Sequence, residues 1–139
     1  MLALSGHETR LLIRPMKNLL ALITGSIAGG LARYYMSGAV FRITASRFPF
    51  GTLAVNLTGC FIIVFITALG AEKFSLSHSA KLLLVTGFCG AFTTFSAFIL
   101  ETDSLIRSGN VFWALLYILV SVCAGFLLFR LGVLAGEII

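Results

Sequence analysis

Four long apolar runs separated by short polar stretches organise this chain. Residues 48–71, 82–100 and 108–129 contain no charged side chain, and residues 18–41 contain one, Arg33. A bilayer-crossing helix needs about 20 apolar residues, with a range of about 17–25, so each run is long enough to span once. The connections, around 42–47, 72–81 and 101–107, are short, which sets successive helices antiparallel and adjacent. The pattern predicts a single all-α membrane domain of four transmembrane helices over 18–139, preceded by a lead-in at 1–17. Pro15 argues against a continuous helix through that lead-in. Basic residues ahead of an apolar run also suit a secretory signal. This run is long and no small-residue cleavage site closes it, so a retained segment is expected.

Composition removes the soluble alternative. The 139 residues are 59% hydrophobic and 11% charged, with a mean hydropathy of +1.07. A soluble domain carries about 25% charged residues. The formal charge of +5 raises nucleic acid as a partner, but the basic residues are scattered singly and form no stripe. They flank the apolar runs, as membrane proteins place them. Arg10, Arg14, Lys17, Lys73, Lys81 and Arg130 fall on one side, and Arg42, Arg47 and Arg107 on the other, with Arg33 close by. The excess gives a modest vote for a cytoplasmic N-terminus. A bias this weak fits insertion in both orientations as well as ordinary noise in one.

Nothing in the chain suits an enzyme. Cys60, Cys89 and Cys123 lie inside apolar runs without metal-ligand spacing, and read as small buried hydrophobes. His7 and His78 stand outside the runs, no carboxylate pair lies within them, and no phosphate-binding glycine loop is present. Glu101, at the end of the third run, reads as interfacial.

The polar and small residues inside the runs need explaining. Gly25, Gly29 and Arg33 share a helical face. Arg33 reads either as a cation drawing anions to a pore mouth or as a side chain reaching the interface beside Tyr34 and Tyr35. Thr52, Asn56 and Gly59 share a face of the second run. Asn56 is either interhelical glue or an uncharged donor to a desolvated anion. In the third run, two glycines and the adjacent Thr93 and Thr94 predict a break in the helix, tolerated in a membrane only where protein or water lines it. Phe88, Phe92, Phe95 and Phe98 recur at helical spacing and form a stripe, for which packing is the favoured reading. Gly25-xxx-Gly29 and Gly132-xxx-Gly136 allow close helix approach without naming a partner. Tyr117, Ser121 and Gly125 align on the fourth run and either line a pore or pack.

The segments GSIAGGLARYY at 25–35, FGTLAVNLTG at 50–59 and GFCGAFTTFSAFILE at 87–101 resemble the Fluc (CrcB) fluoride channels, in order and at the family's spacing from Lys17 onward. The resemblance implies an antiparallel, dual-topology homodimer in a bacterial-type inner membrane, with two pores built from both subunits. It implies passive fluoride efflux. It also implies a structural sodium ion at the dimer centre, held by backbone carbonyls that map to Gly90 and Thr93. The pore residues map to Asn56, Thr94, Phe95, Ser96 and Phe98, with Tyr117 and Ser121 on the fourth helix and Arg33 on the first. Two departures each remove a hydroxyl: Ala97 replaces a Thr of the TTFSTF pattern, and Gly125 stands where some members carry Ser. A small proton-coupled exporter is one rival, but it wants a carboxylate in the first helix, and 18–41 has none. A non-conducting membrane scaffold is the other, and it needs no broken third helix.

Overall fold

A computed structural model describes residues 6–72 and 76–138 of the chain. The order is α1 (Gly6–Thr44), α2 (Phe50–Glu72), a short α3 (His78–Lys81), a π-helical segment (Leu82–Cys89), α4 (Gly90–Phe92), α5 (Phe95–Arg107) and α6 (Val111–Ile138). Four stretches among the described residues are long and apolar enough to cross a membrane: Arg14–Thr44, Phe50–Ala68, His78–Arg107 and Val111–Gly136. They overlap the four apolar runs of the sequence.

The boundaries differ from expectation in three places. Helix α1 continues through Pro15, although proline removes one backbone donor and was expected to interrupt it. At its other end α1 runs on to Thr44, whose hydroxyl bonds the Val40 carbonyl at 2.9 Å. Residues 101–107, expected as a connection, are helical. Thr102 Oγ1 donates to the Phe98 carbonyl at 2.7 Å, and Arg107 pairs with Asp103 one turn back at 2.6 Å, so the polar residues are satisfied without leaving the helix. The true turn is Ser108–Asn110. Gly109 adopts φ +79°, its N–H bonds Ile106 O, and Asn110 N–H bonds Leu105 O. This is a Schellman stop, which glycine permits because it lacks a Cβ.

Glycines decide how closely the helices pack. A Cβ on Gly25 would fall on the Leu83 carbonyl oxygen, and one on Gly29 on the Phe88 carbonyl oxygen. The first small-residue pair therefore seats α1 against the π-helical backbone. Gly132 faces Val64 and the Phe61 carbonyl of α2 in the same way, and α6 lies along α2. Leu53, Phe98, Leu105, Ala114 and Tyr117 form the buried core, with Phe48, Leu57 and Val120 packed on it.

Candidate ion pathway

Two hydrogen-bond diversions interrupt the third span. In an uninterrupted helix the Thr94 N–H would bond the Gly90 carbonyl. It donates instead to Asn56 Oδ1 at 2.8 Å, and Asn56 Nδ2 donates to the Thr94 carbonyl at 3.0 Å. The Ala97 N–H, which would reach the Thr93 carbonyl, donates to Thr94 Oγ1 at 3.3 Å, the usual N-cap arrangement. Thr93 (φ −86°, ψ 161°) and Thr94 (φ −152°, ψ 120°) are extended between α4 and α5. The Gly90 and Thr93 carbonyls thereby lose their ordinary helical donors. Gly59, one turn along α2 from Asn56, leaves room for the Thr93 methyl, which a Cβ there would strike.

Thr94 lines two cavities. The larger, about 790 Å³, lies between the C-terminal half of α1, the α1–α2 connection and the start of α5; Arg33, Thr52, Ser96, Ala97 and Glu101 line it. The smaller, about 380 Å³, is walled by Asn56, Cys60, Cys89, Phe95, Phe98 and Ser121. An amide nitrogen carries two hydrogens. Asn56 gives one to Thr94 and has the second for the cavity it lines. Ser121 Oγ is the one buried side-chain polar atom among the described residues with no hydrogen-bond partner, and it too borders the smaller cavity.

The phenyl rings do not form one stripe. Phe92 is 3% exposed and stacks on Phe88 at 5.7 Å and 11°. Phe95 is 74% exposed, whereas Phe98 is 9% exposed and meets the edge of Tyr117 at 4.9 Å. The extended Thr93–Thr94 pair rotates the chain between Phe92 and Phe95, so spacing that would align all four rings on a regular helix does not do so here.

Comparison with known proteins bears on the same segments. Residues 20–133 match the family described as CrcB-like protein, Camphor Resistance (CrcB). This chain belongs to the CrcB family. A relative from Chlorobium phaeobacteroides is 45% identical over 114 residues, 82% of this chain and 88% of the relative. One from Chlorobaculum tepidum is 44% identical over 123 residues, 88% of this chain and 97% of the relative. One from Rhizobium johnstonii is 47% identical over 98 residues, 70% and 78% respectively. Each is named a fluoride-specific ion channel, FluC. Family membership and the four apolar helices together make the chain a multi-pass integral membrane protein.

In this CrcB chain the residues expected at a pore divide into three groups. Asn56, Thr94, Phe95, Phe98 and Ser121 gather around the smaller cavity. Arg33, Thr94 and Ser96 face the larger, and no carboxylate pairs with Arg33 among the described residues. Tyr117 lines neither. It is fully buried in the core, and its hydroxyl donates to Glu101 Oε2 at 2.8 Å. Thr52 Oγ1 donates to the other carboxylate oxygen at 2.6 Å. Glu101, read from the sequence as interfacial, is half-buried and lines the larger cavity. Gly90 is exposed, with open space where a Cβ would stand.

Proposed function

We propose that this protein is a fluoride channel that lets fluoride run passively out of the cytoplasm of a bacterial-type inner membrane. The observation that carries the reading is the Asn56–Thr94 pairing. It opens the third span beside aromatic rings and leaves an uncharged amide donor in a mostly apolar cavity. The relatives' names agree with it.

Fluoride is small and strongly hydrated, and an unpaired ion in hydrocarbon costs tens of kcal/mol on Born reasoning. A conducting path must replace its water with comparable donors yet bind weakly enough to release the ion. The Asn56 amide and the unpartnered Ser121 hydroxyl can donate, and Ser96 can do so from the larger cavity. Phe95 and Phe98, with ring centroids 5.8 Å apart, offer ring edges that carry positive quadrupole density. Ring hydrogens do not ionise, so they can face an anion without becoming charged. A narrow path of this kind disfavours larger halides, which fit less well. In this reading the Thr93–Thr94 interruption lies near mid-membrane.

The working unit is an antiparallel, dual-topology homodimer. The largely uncovered Phe95 ring supports this, because a second subunit packed there would complete the wall of the path. The same assembly would bring two copies of the interruption together. Carbonyl oxygens are hard donors suited to alkali ions, and Gly90 and Thr93 supply two whose helical donors are diverted. Those residues would hold a sodium ion, whose charge would fix the two interruptions against each other.

The test is efflux from liposomes carrying the purified protein, followed with a fluoride electrode. Wild type should empty the vesicles faster than protein-free controls, and a Phe95→Ile, Phe98→Ile double variant should not. Vesicles that hold their fluoride with wild type present would refute the proposal, and normal efflux from the double variant would remove the rings from the mechanism.

A further inference from the structure

Resting on the fluoride-conducting reading, we infer that Arg47 is a second cation of the channel mouth. Acting with Arg33, it raises the local concentration of anions before they reach the narrow path. Arg47 sits in the connection between α1 and α2, outside every helix, and would ordinarily be counted as a flanking charge. Arg47 nevertheless lines the same large cavity as Arg33, as well as a smaller one beside Trp113. That cavity has one carboxylate in its wall, Glu101, and both of its oxygens already accept from Thr52 and Tyr117. Among the described residues neither arginine has an ion-pair partner; the one pair there joins Arg107 to Asp103, and neither of those lines the cavity. Two guanidinium groups against one carboxylate leave the mouth net positive.

The backbone on both sides of Arg47 is fixed by its neighbours, while Arg47 itself is exposed. Ala45 takes φ +43°, an uncommon conformation for a residue with a side chain. The Phe48 N–H bonds Ser46 Oγ at 3.0 Å. Phe48 itself is wedged among aromatic rings, 4.6 Å from Phe50, 5.4 Å from Tyr117 and 5.8 Å from Trp113. Phe48 thereby anchors the backbone next to Arg47 at the cavity that both residues line. The cavity, at about 790 Å³, is far wider than a single halide. It can collect small hydrated anions without choosing among them, which leaves discrimination to the path beyond Thr94.

The experiment is initial fluoride efflux from proteoliposomes at sub-saturating fluoride, with the same impermeant salt on both sides. It compares ionic strengths near about 10 mM and about 300 mM, where the screening length falls from about 30 Å to below 10 Å. At low ionic strength R47E should slow efflux by about threefold and R47Q by about half as much, the scale of charge changes roughly 10 Å from an ion in a watery mouth. R47K should match wild type, and so should R107Q, which alters a charge outside the cavity. All differences should shrink at high ionic strength. Equal rates for R47E and wild type at low ionic strength would overturn the inference. So would a loss that persists at high ionic strength without rescue by R47K, or an equal loss in R107Q. Failure of wild type to pass fluoride would instead strike the functional reading.

Discussion

Asn56 does two jobs with one amide. Its oxygen and one of its N–H groups satisfy the Thr94 peptide, which would otherwise stand unpaired where water is scarce. Asn56→Ala should therefore lower stability by about 1–3 kcal/mol for buried groups left unmade, measured by denaturant titration in detergent, and should lower flux as well. Asn56→Asp keeps an acceptor for the Thr94 N–H but puts a negative charge in the anion's way. It should lose more flux than stability, and equal losses of both would reduce Asn56 to a structural tie. Tyr117→Phe removes a donor to Glu101 from a fully buried ring and should cost about 1.5–3 kcal/mol, the range for hydrogen bonds to charged groups. Gly125 shows how a departure from the family pattern is accommodated. A Cβ there would lie 3.5 Å from Cys60 Sγ and 3.8 Å from Leu57 Cδ2, ordinary contacts, so the backbone position itself does not demand glycine.

Between helices, adjacent glycines have opposite meanings. Gly29 faces the Phe88 carbonyl of the π-helical segment, whereas a Cβ on Gly30 would meet nothing within 4 Å. Gly29→Ala should destabilise the protein by about 1–3 kcal/mol, since two backbones must separate and no flexible side chain can yield. Gly30→Ala should be neutral or add up to about 1 kcal/mol from helix propensity. Thermal unfolding of the two variants in one detergent gives the comparison, and equal shifts would contradict the packing described for α1. The small-residue spacing was legible in the sequence, but its partner was not, because nothing local says that 82–89 takes a π-helical register. The Thr-Thr pair was visible as a weak point for the same reason it acts as one: threonine side chains compete for backbone hydrogen bonds. The Phe spacing misled because periodicity assumes the regular helix that those threonines interrupt.

On the scale of the whole molecule, the four spans were legible because lipid leaves a long apolar run few alternatives. Glu101 was not, because Thr52 is 49 residues away and Tyr117 is 16, and only the packed bundle brings both hydroxyls to one carboxylate. Assembly is the level above the single chain. The 14.9 kDa subunit should run in mild detergent at twice its protein mass by light scattering, and a strictly monomeric particle that conducts would dismiss the shared-pore arrangement. The most direct measurement of the central claim is paired efflux of fluoride and chloride from the same proteoliposomes. Fluoride should leave within the dead time that chloride needs to show any loss, with both retained in protein-free vesicles. Parallel release of the two halides, or retention of both, would contradict a path made selective by the Asn56 amide and the Phe95 and Phe98 ring edges.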